Sequence, residues 1–211
     1  RAVIESLDCA NADFWKHWIR PGARVFVGSN AAAPHALVAR MLEHYRVLTD
    51  VEMLHILTIG GAPWSEPRYR DHLRTNSLFL GPTSRDAVMR GDAEYTPCFL
   101  SEVPGLFLDG VLPLDVALVQ VTPPDEHSYC SLGVSVDIVS AACRAARVVI
   151  AQVNPRMPRT LGQSFLHVRD VDVLWEHEAE IPEIESPRLD DTTLRIGRHV
   201  ALLIDDESTL Q

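Results

Sequence analysis

The chain has 211 residues, 46% of them hydrophobic and 23% charged, and a formal net charge of −10. That length supports one large domain or two small ones with a substantial core, and the composition is that of an ordinary globular protein. The acidic balance speaks against a nucleic-acid surface, which needs clustered positive charge, but leaves room for a small anion held by a few arginines.

Residues 10–19 place Phe14, Trp15, Trp18 and Ile19 at helical spacing before Pro21-Gly22. A short strand, 24–27, runs into Gly28-Ser29-Asn30, and a helix over 34–46 follows with Pro34 in its first turn. This order of strand, small-residue turn and helix is that of the first unit of a doubly wound sheet. A second strand is expected over 53–59, a third over 77–80, and a short helix over 83–89 capped by Thr83 or Ser84. Residues 95–100 read as extended and 102–108 as another helix.

The run 116–121 lies between Pro113 and Pro123-Pro124 and has the valine-rich pattern of a fully buried parallel strand. A helix over 136–146 and a strand over 147–153 complete a parallel crossover. An edge strand over 168–174, an acidic, proline-broken surface stretch over 176–190 and an amphipathic helix over 191–204 follow. The expected fold is a three-layer α/β/α domain with an open, mostly parallel sheet.

Four segments invite chemistry. The Gly28-Ser29-Asn30 turn could cradle an anion through free N–H groups, although it matches neither G-x-G-x-x-G nor a phosphate-binding G-K-[ST] loop. Asp125-Glu126-His127 sits at the carboxyl end of a buried strand, where open α/β sheets place ligands. Sequence neighbours rarely face one another as catalytic partners, so a polar turn is the better reading. Residues 154–162, Asn-Pro-Arg-Met-Pro-Arg-Thr-Leu-Gly, present Asn154, Arg156 and Arg159 on a proline-stiffened loop, groups suited to a carboxylate or phosphate. Glu176-His177-Glu178-Ala179-Glu180 lacks metal-binding spacing, and no metal is expected. Cys9, Cys98, Cys130 and Cys143 show no C-x-x-C spacing and read as free, largely buried thiols.

No apolar run approaches the roughly 20 residues of a membrane helix, and residues 1–13 lack the order of a secretory leader. A cytoplasmic protein without a membrane partner is therefore expected. The chain opens on Arg1 and stops at Gln211 after a helical run, so residues 1–211 are expected to be a single domain of a longer polypeptide.

Residues 119–133 and 148–159 together resemble the acetyl-CoA hydrolase/transferase family, which includes 4-hydroxybutyrate and other short-acyl CoA-transferases. Residues 99–104 and the Gly28 turn are similar to that family's amino-terminal domain, and 203–211 to the end of it. Ser128 stands where the family usually has glycine. The resemblance implies double displacement at a glutamate supplied by a carboxyl-terminal domain beyond residue 211. No catalytic residue is therefore assigned here, and neither Glu102 nor Glu126 is given that role. It further implies coenzyme A or acyl-CoA as substrate with no permanently bound cofactor, and a short carboxylate as acceptor. The chain's own second domain and a homodimer are the implied protein partners. Gly28, Ser29, Asn30, Asn154, Arg156, Arg159 and Gly162 would then form one wall of an interdomain cleft. Acyl-CoA hydrolysis, or a non-catalytic ligand-binding module of the same fold, are the rival expectations.

Overall fold

A computed structural model describes residues 9–210, apart from the side chain of Thr83. The readings made for residues 1–8, and Thr83 as a helix cap, lie outside the described residues. In chain order the elements are α1 (Ala12–Trp18), β1 (Arg24–Val27), α2 (His35–Glu43), β2 (Val51–His55), β3 (Leu73–Ser77), α3 (Pro82–Met89), β4 (Ala93–Tyr95) and α4 (Val103–Leu108). There follow β5 (Val116–Val121), β6 (Tyr129–Ser131), α5 (Val139–Ala145), β7 (Val148–Val153), β8 (Phe165–His167), β9 (Val173–Glu176) and α6 (Asp191–Ala201).

Seven strands form one parallel sheet in the order β4-β3-β2-β1-β5-β7-β9, and β6 and β8 make a separate antiparallel pair. The two-residue period of the strands sorts side chains between two apolar layers. Val25, Val27, Met53 and Leu118 pack against Trp15 of α1 and Leu37 and Met41 of α2. Phe26, Leu54, Ala117 and Val119 pack on the opposite face against Phe107 of α4 and Val139 and Ala142 of α5. The expected three-layer α/β/α architecture is the observed one.

A buried amide ladder fixes the first of these layers. Gln120 Oε1 accepts from Gln152 Nε2 at 3.0 Å and from Asn154 Nδ2 at 2.9 Å. Gln152 Oε1 in turn accepts from the Leu37 amide at 3.2 Å, and Gln120 Nε2 donates to the Ala33 carbonyl at 3.4 Å. Polar side chains this deep are tolerated because every one is paired, and here the pairing pins the amino end of α2 over β5 and β7. The strand order reverses between β1 and β5, whose register pairs Val27 with Leu118. In open α/β sheets that reversal opens a crevice at the carboxyl ends of the strands.

The structure moves several expected boundaries. The third strand is Leu73–Ser77 instead of 77–80. It is polar, with Thr75, Asn76 and Ser77 buried, and so carries no apolar run to read. Helix α3 begins on Pro82 behind Gly81 rather than on a Ser84 cap, and Ser84 Oγ bonds back to the Phe79 carbonyl. Pro34 is the residue preceding α2, and α2 ends at Glu43 before a separate 3₁₀ turn, Tyr45–Val47. The stretch 168–174 divides into a 3₁₀ turn, Val168–Asp170, and the start of β9. Of the extended stretch over 95–100, Tyr95 alone belongs to a strand. All four cysteines are free, three of them buried.

Candidate active site

At the carboxyl end of β1 the chain turns through Gly28, Ser29 and Asn30. The Gly28 amide donates to the Leu118 carbonyl at 2.8 Å and the Asn30 amide to the Leu57 carbonyl at 2.7 Å. Those two N–H groups stitch β1 to its neighbours, so they are not the free donors an anion cradle would need. The side chains of the turn do something else. Ser29, fully buried, donates its hydroxyl to Asp137 Oδ1 at 3.2 Å. Asn30 Nδ2 reaches Asp137 Oδ2 and Ser135 Oγ, both at 3.4 Å, and Ser135 Oγ donates to Asp137 Oδ2 at 3.0 Å. Asp137 therefore ties the β1 turn to the segment that leads into α5. It also holds Asn30 in place at φ 50°, a left-handed conformation that asparagine tolerates better than most residues.

Beyond Asn30 and Asp137 a cavity of about 440 Å³ opens at the carboxyl ends of β1, β2 and β3. Ile56 and Leu57 follow β2, Leu78 and Phe79 follow β3, and residues 98–100 with Val103 close the far side. The lining is apolar except at the Asn30–Asp137 end, an arrangement suited to a short apolar group with a polar atom near one end. The Cys98 thiol faces this cavity, and burial, reinforced by the charge of Glu102, pushes its pKa up. It is thus protonated and weakly nucleophilic at neutral pH. Glu102 is itself engaged, accepting the Phe99 amide at 3.0 Å. The two carboxylates around this cavity both serve as acceptors that hold the local backbone or side chains.

The strand-end turn after β5 is built on Asp125. Its Oδ1 accepts from the amides of His127 at 2.9 Å and Tyr129 at 2.8 Å. Those bonds, the one from Tyr129 foremost, hold the Asp125 carboxyl below its ordinary pKa, with Arg159 adding a smaller electrostatic pull. Ser128 adopts φ 66°, so the left-handed geometry is kept although serine stands where the family has glycine. Glu126 and His127 point to solvent, 3.6 Å from each other. The Asp125-Glu126-His127 segment is a polar turn.

The loop after β7 is joined to that turn. Arg159 pairs with Asp125, donates to the Tyr129 carbonyl at 3.1 Å and lies over the Phe165 ring. Ser131 Oγ accepts the Thr160 amide at 3.1 Å, and Thr160 Oγ1 donates to the Gly133 carbonyl at 2.8 Å. Asn154 is fully buried; besides Gln120 it holds both backbone groups of Ala179, at 2.8 and 3.2 Å. Arg156 is exposed and bridges Glu178 at 2.7 Å and Glu180 at 2.5 Å. Gly162, at φ 99°, is exposed at the loop's end. The structure thus brings Arg159 to the 125–133 turn and Gly28-Ser29-Asn30 to Asp137, whereas Arg156 is turned toward the acidic stretch after β9. Sequence reasoning missed Asp137, Ser135 and the apolar cavity. The one available signal was a serine and an aspartate just ahead of α5, residue types that favour helix N-caps, although α5 itself has no side-chain cap.

Fold and site define a class: one open parallel α/β unit whose carboxyl-end crevice carries an apolar cavity with one polar end, the neighbouring carboxylates Asp137 and Glu102 being engaged as hydrogen-bond acceptors. The chain matches the acetyl-CoA hydrolase/transferase N-terminal domain over residues 11–185 and belongs to that family. It is 42% identical over 189 residues to a 4-hydroxybutyrate coenzyme A transferase of Clostridium kluyveri, covering 90% of this chain and 44% of that protein. It is 37% identical over 205 residues to a succinyl-CoA:acetate/propanoyl-CoA:succinate CoA transferase of Fasciola hepatica, covering 96% and 42%. Its fold superposes on the crystal structure of a 4-hydroxybutyrate CoA-transferase from Porphyromonas gingivalis with a TM-score of 0.80 at 35% identity, over 95% of this chain and 46% of that one. The chain spans less than half the length of each of these proteins.

Proposed function

We propose that residues 1–211 are the amino-terminal part of a short-acyl-CoA:carboxylate CoA-transferase. A glutamate outside these residues attacks the thioester carbonyl, CoA thiolate leaves, and an acyl-glutamyl anhydride forms. The thiolate then attacks the glutamyl carbonyl, releasing the first carboxylate and leaving glutamyl-CoA, from which an acceptor carboxylate takes the CoA by the reverse steps. The observation that carries this reading is the cavity beside Asn30 and Asp137. It is sized and lined for a short acyl group, and the carboxylates around it are engaged as hydrogen-bond acceptors. A domain that holds the acyl group needs its nucleophile from elsewhere.

On this reading the Gly28-Ser29-Asn30 turn and the 154–162 loop belong to the same wall of the cleft, the turn on its acyl side, with Arg156, Arg159 and Gly162 exposed on the loop and Asn154 buried as its anchor. A 4-hydroxybutyryl group, named for two of the relatives, fits an apolar pocket with one polar end. Acyl-CoA and a short carboxylate are the ligands, coenzyme A enters as substrate, and the second domain is the obligatory partner. A homodimer in the cytoplasm completes the proposal.

The test is a steady-state assay of the full-length polypeptide with butyryl-CoA, with and without acetate. CoA transfer that requires acetate is expected. Acceptor-independent CoA release at a comparable rate would replace transfer by hydrolysis, the other activity in the family's description. Residues 1–211 alone are expected to show no turnover.

A further inference from the structure

Helix α6 is an amphipathic element with no buried residue. At 100° per residue, Leu194, Ile196, Val200 and Ala201 fall on one half of its circumference, and Leu203 continues the stripe in the turn beyond. Asp191, Arg195, Arg198 and His199 occupy the other half. Ile196, Val200 and Leu203 are 58%, 51% and 84% exposed. The helix is nevertheless well specified locally: Asp190 Oδ1 caps it by accepting the Thr193 amide at 2.7 Å, and that bond holds the Asp190 carboxyl below its ordinary pKa. A capped eleven-residue helix with an apolar stripe is marginal in water until the stripe is covered. Residues 177–190, which lead to it from β9, contain neither helix nor strand.

We infer that α6 is an element of the second half of a polypeptide of the relatives' length, and that the segment following residue 211 packs on its apolar stripe. Two observations favour this occupant over a second copy of the chain or the chain's own cavity. The match to the amino-terminal family domain stops at residue 185, before α6 begins. The relatives are more than twice as long as the region they share with this chain, so a further folded unit of comparable size accompanies that region in them. The inference rests on reading residues 1–211 as the amino-terminal part of a longer polypeptide and is independent of the transfer chemistry.

Hydrogen–deuterium exchange, followed by mass spectrometry on the 211-residue chain and the full-length polypeptide side by side, tests it. In the 211-residue chain the amides of α6 should exchange freely while those of β5 are protected. In the full-length polypeptide α6 should be slowed by about 100-fold or more, the span between an unsupported helix and a packed one. Val200→Asp in the full-length polypeptide should remove that protection and leave β5 unchanged, and Val200→Ile should retain it. Equal, fast exchange of α6 in both proteins would overturn the inference. So would protection in the 211-residue chain alone, whether it rises with protein concentration (a second copy) or not (docking on its own domain). Activity is not read, so protected α6 in a protein that transfers no CoA would sink the transferase proposal and keep this one.

Discussion

The side chain of Met157 fills the space that a β-carbon on Gly133 would need. Gly133 sits at φ 69° just after β6, and Met157 is buried in the loop after β7. The contact locks the two strand-end segments together at van der Waals distance. Gly133→Ala adds both backbone strain and a collision, each worth about 1–3 kcal/mol, so a loss of roughly 3 kcal/mol or more is expected in urea unfolding. Met157→Ala should recover part of that loss in the double variant, since it removes the collision but not the strain. Additive losses would contradict the packing account.

Asn154 looks like a ligand-binding amide in the sequence, yet its side chain is spent on Gln120, Ala179 and the Arg156 amide. Asn154→Leu takes one donor from the buried Gln120 carbonyl oxygen and leaves the part-buried backbone groups of Ala179 and the Arg156 amide without that partner. A cost of about 2–3 kcal/mol is expected, read as a lower urea midpoint at unchanged m-value.

His55 gives the fold a pH dependence. It is fully buried against Trp64, its Nε2 lies 2.8 Å from Ser77 Oγ, and burial lowers its pKa to about 4. Its unfolded value is near 6.5, so between those values the unfolded state binds more protons and stability rises with pH. The contribution is complete above about pH 6.5 and declines as pH falls toward 4, by as much as about 3 kcal/mol from this residue. Chemical denaturation from pH 7 to 5 should show the decline in the wild type and a flatter profile in His55→Gln. Parallel profiles would contradict it.

The cavity makes a prediction about chain length. Phe79 lines it and is half exposed. In the full-length polypeptide Phe79→Ala should lower kcat/KM for butyryl-CoA about fivefold relative to acetyl-CoA, near the value of one to two buried methylenes. An equal loss for both substrates would remove the cavity from the acyl site.

The central architecture is legible in the sequence where burial and punctuation coincide. The run 116–121 is apolar throughout and bracketed by prolines, and it forms β5, buried along its whole length. Strand β3 is illegible for the opposite reason. Thr75, Asn76 and Ser77 are polar but buried, and Asn76 and Ser77 are satisfied by Glu52 and His55 on the neighbouring strand. The expected strand slid downstream to Leu78 and Phe79, apolar residues that line the cavity instead of joining the sheet. Asp137 was hidden because the helix was expected to begin at 136 and absorbed it. Its partners Ser29 and Asn30 are more than a hundred residues away in sequence. Arg156 and Arg159 were visible as charges, but the carboxylates that hold them, Glu178, Glu180 and Asp125, lie in segments that nothing in the spacing links to them.

The most direct test of the transferase account is to locate the covalent intermediate. Full-length polypeptide incubated with butyryl-CoA without acceptor, then digested and mapped by mass spectrometry, should carry CoA as a thioester on one glutamate outside residues 1–211. Acetate should discharge it. A CoA adduct on Glu102, Glu126 or any other residue of this chain would contradict the account, as would transfer activity with no adduct at all.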